Sequence, residues 1–156
     1  MNKDEDIMSQ LSLPQQKYIE TIYELCREHE HAHSKSIAEK LSVKMPSVTE
    51  ALRTLSALGL VNYRVRKAIT LTDAGIKVAK MLDSRHRNLA SFFTDILGCE
   101  KSRAERFACD IEHVIDCELN CRLGAFSEFI KNGPDSYSEM LKKFREQYAP
   151  NCKGER

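Results

Sequence analysis

The chain has 156 residues, 30% of them charged, with six cysteines, no tryptophan and a net charge of +1. No run of about 18 apolar residues exists, which excludes a helical membrane span, and the acidic, polar start "MNKDEDIMSQ" lacks a secretory pattern, so a cytoplasmic protein is expected. Six cysteines in that compartment point to free thiols, metal ligands or redox groups rather than a disulfide framework.

Helix signals dominate from the start. From Gln15 to about His29 the apolar residues Tyr18, Ile19, Ile22, Leu25 and Cys26 recur at spacings of three and four, and Pro14 suits a first turn. The stretch "EHEHAHS" breaks the period. Its His29, His31 and His33 have the look of a ligand cluster, yet they straddle a helix end and a turn, and a plain connector is the expected reading. Ser34 is expected to cap a short helix carrying Ile37, Ala38 and Leu41. After the turn "SVKM", "PSVTEALRTLSALG" puts Val48, Leu52 and Leu55 on one stripe and closes at Gly59. The period then falls to two in "LVNY" and "AITL", which flank "RVRK" as a small hairpin with a basic tip.

That order (helix, helix, turn, helix, hairpin) is the order of a winged helix-turn-helix. Residues 34–67 carry seven basic and two acidic side chains, a local charge of +5, which suits a compact nucleic-acid-binding face. The second helix of such a motif reads the major groove from its N-terminal end. The candidates there are Lys44, Pro46, Ser47, Thr49, Glu50 and Arg53, with Arg64, Arg66 and Lys67 of the hairpin tip tracking the DNA backbone.

Thr72 is expected to cap a long helix running through Leu97, Ser102 with Glu105 to form the capping box of a helix reaching about Ile115, Asp116 to cap the next, and Ser136 with Glu139 to open the last. The tail "NCKGER" reads as frayed. The fold class is therefore mainly α: an N-terminal winged helix-turn-helix (1–72) with a small β-hairpin wing, then an all-α domain (73–156).

Within "ACDIEHVIDCELNC", Cys109, Glu112 and His113 lie at i, i+3 and i+4, so one continuous helix would aim all three the same way. Thiolate, carboxylate and imidazole together suit iron(II), zinc or cobalt better than magnesium or calcium. A cysteine that fills space beside a solvated Glu-His pair is the competing reading. Cys117 and Cys121, also i and i+4, and Cys152 are expected as small buried hydrophobes, with metal binding or oxidant sensing as the other possibility.

The ordered motifs "YIETIYEL", "IAEKLSV", "PSVTEAL", "GLV", "ITLTDAG", "RH" and "EH" resemble the diphtheria toxin repressor and manganese transport regulator family over residues 14–131. The resemblance implies a homodimeric, metal-activated repressor of metal homeostasis that binds double-stranded operator DNA. Its metal site would lie between a winged-helix domain and a helical dimerisation domain. It implies Fe(II) or Mn(II) as the activating ion, and the donor chemistry leaves zinc or cobalt possible in vitro. By position, His86, Glu112 and His113 match family metal ligands, Cys109 matches a ligand that is cysteine in the iron-type branch, and Glu20 matches a first-helix ligand of the manganese-type branch. Lys17 stands where the family places an aspartate or methionine ligand, and a charged ammonium does not ligate. Ala90 replaces a glutamate of the iron branch's ancillary site, whose histidine Glu105 matches only loosely. No nucleophile-base pair, phosphate loop or zinc-hydrolase signature suggests an enzyme. The alternative is a winged-helix regulator that senses oxidants through cysteines and binds no metal.

Overall fold

The computed structural model describes residues 7, 8 and 10–147, so the tail "NCKGER" with Cys152 lies outside them. Among the described residues the chain forms seven α-helices, one π-helical turn and a two-stranded antiparallel sheet. Two compact units divide between Asp83 and Ser84.

In the first unit, α1 (Leu13–His29) opens with Pro14 in its first turn and with the Ser12 amide donating to Gln15 Oε1 at 2.8 Å. Its stripe of Tyr18, Ile19, Ile22 and Leu25 is buried. Short α2 (Ser34–Leu41) contributes Ile37. It is His33, in extended conformation, that occupies its N-cap, one residue before the expected Ser34. Helix α3 (Met45–Ala57) buries Val48, Leu52 and Leu55. Gly59, at φ 72°, lets the chain reverse into the sheet, a left-handed conformation that a β-carbon disfavours.

The strands are shorter than the alternation predicts: β1 (Val61–Asn62) pairs with β2 (Thr70–Leu71), Val61 opposite Leu71. A β-bridge between Ala32 and Ile69 extends this pairing to the α1–α2 connector. The core of the unit is mainly apolar: Ile19, Ile22, Ile37, Val48, Leu52, Leu55, Leu60 and Ile69 are all fully buried. Each is worth about 1.5–3 kcal/mol of transfer free energy. Thr72 fixes the join to α4 (Asp73–Ser91): its hydroxyl accepts from the Gly75 amide at 3.1 Å and donates to the Gly59 carbonyl at 2.6 Å. There Gly75 runs so close to β1 that an added β-carbon would stand 2.0 Å from the Leu60 carbonyl oxygen.

The second unit holds the last turns of α4, the π-helical turn Phe92–Ile96, α5 (Lys101–Ile111), α6 (Cys117–Lys131) and α7 (Asp135–Gln147). Leu89, Ala90 and Ala108 form its buried centre, with Phe93, Ile115 and Leu123 against them. Phe93 meets Phe107 edge-on, with ring centroids 6.0 Å apart.

Four sequence expectations shift here. The long helix does not stay α-helical to Leu97; it widens at Phe92, where the Leu97 amide bonds the Phe92 carbonyl five residues back at 3.1 Å. The cap of α5 is Glu100, whose carboxylate accepts from the amides of Ser102 and Arg103, so the Ser102–Glu105 capping box is not formed. An anionic cap is favoured at a helix N-terminus. Helix α5 stops at Ile111 and not near Ile115. Helix α7 begins at Asp135, one residue before Ser136. Asp116 caps α6 as expected, accepting from the Leu119 amide at 2.7 Å.

Candidate metal centre and nucleic-acid face

Because α5 ends at Ile111, Glu112 is its C-cap and His113 lies in the turn that follows. The main chain tightens there, the Val114 amide bonding the Ile111 carbonyl at 2.9 Å. Cys109, still inside the helix, is exposed, whereas Glu112 is only 4% exposed. The ligand atoms of Cys109, Glu112 and His113 are accordingly not gathered within 4.8 Å of one another among the described residues. The i, i+4 alignment of Cys109 with His113 presumes a helix that has already ended.

Glu112 is the hub of what does converge. Its Oε2 lies 2.7 Å from His86 Nδ1 on α4, and its Oε1 lies 3.5 Å from His113 Nε2. The other ring nitrogen of His86, Nε2, is 2.8 Å from Glu105 Oε2 on α5. Arg85, buried beside His86, donates from Nη1 to the Glu112 carbonyl at 3.0 Å and from Nη2 to Cys117 Sγ at 3.5 Å. That contact pins the end of α5 against α4. With both ring nitrogens facing carboxylates, His86 holds its proton strongly. Its pKa rises from 6.5 to about 9, first through the hydrogen bond to Glu112, against the opposing effect of burial, with the Glu105 bond and both negative charges adding.

His86, Glu112 and His113 supply imidazole and carboxylate donors of the kinds a divalent transition-metal ion takes, linked pairwise through Glu112 and not gathered within 4.8 Å of one another, with Glu105 at the exposed rim. Glu105, only a loose match to the ancillary-site histidine in the sequence, instead faces His86. The signal was its spacing of seven from Glu112, two turns along one helix face. Glu20 lies in the first unit, half-buried on α1, where Lys17 is exposed. Ala90 is buried in the second unit's core. The remaining cysteines split: Cys117 is half-buried and accepts from Arg85, whereas Cys121 is exposed and does not serve as a buried hydrophobe.

The candidate nucleic-acid face is built on the opposite side of α3 from its buried stripe. Lys44, at the N-cap, and Pro46, Ser47, Glu50 and Arg53 are exposed around the outer surface, while Val48, Leu52 and Leu55 face inward. Thr49 is half-buried and its hydroxyl donates to the Met45 carbonyl at 3.1 Å. In the wing, Arg64, Arg66 and Lys67 are exposed around a turn closed by the Lys67 amide on the Arg64 carbonyl at 3.0 Å. Arg66 takes a left-handed conformation, φ 60°.

A winged helix followed by a helical unit with clustered imidazoles and carboxylates is the build of a DNA-binding regulator that answers to metal. Comparison with known proteins agrees. Residues 10–69 match the family model "Iron dependent repressor, N-terminal DNA binding domain", and residues 72–140 match "Iron dependent repressor, metal binding and dimerisation domain". An uncharacterized HTH-type transcriptional regulator of Methanocaldococcus jannaschii is 34% identical over 116 residues, covering 74% of this chain and 93% of the relative. The HTH-type transcriptional regulator MntR of Listeria monocytogenes is 31% identical over 123 residues, covering 79% and 86%. Among solved structures, a manganese-dependent transcriptional repressor in complex with manganese superposes with a TM-score of 0.65 at 30% identity, over 74% of this chain. The chain spans about half the length of that structure, 53% of it.

The chain belongs to the iron-dependent repressor family, metal-dependent transcriptional regulators of metal homeostasis and not enzymes. No helix among the described residues is long and apolar enough to cross a membrane.

Proposed function

We propose that the chain acts as a homodimeric repressor whose grip on operator DNA is switched on by Fe(II) or Mn(II). The observation that carries this reading is the Glu112 carboxylate set between His86 and His113. His86, Glu112 and His113 would hold the ion, and Cys109 and Glu20 are the further ligands that the resemblance implies. When bound, the ion supplies at this cluster the positive charge that a proton supplies on His86. Arg85 keeps Glu112 in place by its bond to the Glu112 carbonyl, so the carboxylate is oriented in advance. Operator affinity then rises with metal only as far as the DNA-competent arrangement binds metal more tightly than the other.

On the DNA side, Lys44, Pro46, Ser47, Thr49, Glu50 and Arg53 of α3 would meet the major groove, with Arg64, Arg66 and Lys67 of the wing on phosphates. Pairing of two copies is supported by the family's dimerisation domain and by apolar side chains left outside: Phe126 and Phe129 on α6 and Met140 on α7 are 47%, 60% and 52% exposed. The chain would act in the cytoplasm, where its DNA lies.

The test is electrophoretic retardation of duplexes selected from a random pool in the presence of Mn(II). Retardation should need Mn(II) or Fe(II) and vanish with chelator, and His113→Ala should abolish the metal dependence. Equal affinity in chelator and in metal would refute the reading.

A further inference from the structure

The connector between α1 and α2 carries a second pair of imidazoles, remote in sequence from the Glu112 cluster. His31 Nε2 and His33 Nε2 stand 3.1 Å apart, with ring centroids at 4.7 Å and planes at 87°. The backbone dictates this pairing. Ala32 is held in the β-bridge, its amide on the Ile69 carbonyl and the Ile69 amide on its own carbonyl, both at 2.9 Å. Ala32 is buried, and in extended chain the residues on either side of it point to the opposite face together. His33 is extended as well, at φ −117° and ψ 146°. The two imidazoles are therefore set side by side by a bridge that the wing itself supplies.

We propose that His31 and His33 form a surface chelate for a divalent ion of imidazole preference: Ni(II), Cu(II) or Zn(II). At a nitrogen–metal distance of roughly 2.0–2.1 Å, two ligands on one ion stand about 2.9 Å apart at a right angle and about 3.3 Å apart at the tetrahedral angle. The observed 3.1 Å lies between them, so the nitrogen spacing suits a shared ion that replaces the proton between the two rings. Among the described residues no third His, Cys, Asp or Glu ligand atom lies within 4.8 Å of both nitrogens. Water completes the coordination, and the site is open and exchangeable. Two imidazole donors with no carboxylate favour nickel, copper and zinc and disfavour manganese and magnesium. The chelate thus differs in selectivity from the Glu112 cluster. A bound ion locks the two residues that flank Ala32 and so holds the start of α2 to the base of the wing.

The experiment uses the full chain in three forms: wild type, His31→Gln with His33→Gln, and Glu112→Gln with His113→Ala. Each is titrated calorimetrically with Ni(II) and followed by amide hydrogen exchange. Both histidine side chains reach solvent, so the first double variant should melt like the wild type. It should bind one Ni(II) fewer than the wild type, and the Glu112/His113 variant should keep the connector's ion. Protection of the Ala32 and Ile69 amides should rise about tenfold at a Ni(II) concentration about ten times the dissociation constant. That rise should occur in wild type and in the Glu112/His113 variant only. Equal Ni(II) stoichiometry in wild type and in the His31/His33 variant, or unchanged protection at the two amides, overturns the proposal. Loss of metal-dependent DNA binding in the Glu112/His113 variant alone bears on the regulatory reading and not on this site.

Discussion

His86 makes the metal-free protein sensitive to alkaline pH. Its pKa stands at about 9 in the folded chain against 6.5 for an ordinary histidine, chiefly because of the Glu112 bond. Taken whole, that difference corresponds to about 3 kcal/mol. The side chain is 31% exposed, so solvent screening leaves about 1–2 kcal/mol. A histidine whose folded pKa is raised contributes its full stability below the unfolded pKa and loses it as pH climbs through the folded one. The window is therefore pH 6.5 to about 9. Urea unfolding in chelator at pH 6, 7.5 and 9 would measure it. The wild type should lose about 1–2 kcal/mol more than His86→Gln across that range, the comparison cancelling the groups common to both. Saturating Mn(II) should reverse the trend, because a ligating imidazole must be neutral and each proton displaced favours binding at higher pH. Parallel curves for wild type and His86→Gln in chelator would show that the His86–carboxylate contacts do not hold a proton and would sink the reasoning.

Gly75→Ala should destabilise the first unit by about 3 kcal/mol or more, since its β-carbon would meet the Leu60 carbonyl at 2.0 Å and backbone cannot step aside. An unchanged melting temperature would contradict that packing. Arg64→Ala should lower the slope of log affinity against log salt by about 0.9 if it neutralises one phosphate, with little change in sequence preference. An unaltered slope would remove Arg64 from the DNA face.

The winged helix was readable because each of its elements carries a local signal. The spacing of Val48, Leu52 and Leu55 marks the buried side of α3, Pro46 its start and Gly59 its end, and the core follows from those stripes. The second unit was harder. Nothing in "CDIEHVIDC" announces that α5 stops at Ile111: there is no glycine or proline, and the apolar residues continue the period. Glu112, with its amide on the Ala108 carbonyl, still follows the helix, but His113 lies in the turn beyond it, so the alignment of His113 with exposed Cys109 drawn on an ideal helix does not hold. The widened turn at Phe92 has no composition of its own, and aromatic contacts from distant residues, such as Phe107 on Phe93, accompany it. Glu100 prevailed over Ser102 as a cap through the charge of its carboxylate, which propensity for serine does not weigh. The His31–His33 contact was hidden for another reason. It depends on the Ala32–Ile69 bridge, a pairing across 37 residues that no local window contains.

Arg66 carries a consequence of its own. A left-handed backbone burdens any residue with a β-carbon by about 1–2 kcal/mol, and glycine would relieve it. The wing nevertheless turns on an arginine, so a cation occupies the foremost position of the loop and the loop is slightly sprung. Relaxing that spring with glycine would make the wing easier to fold and weaker as an electrostatic probe. Sturdiness and reach are thus opposed at a single peptide unit.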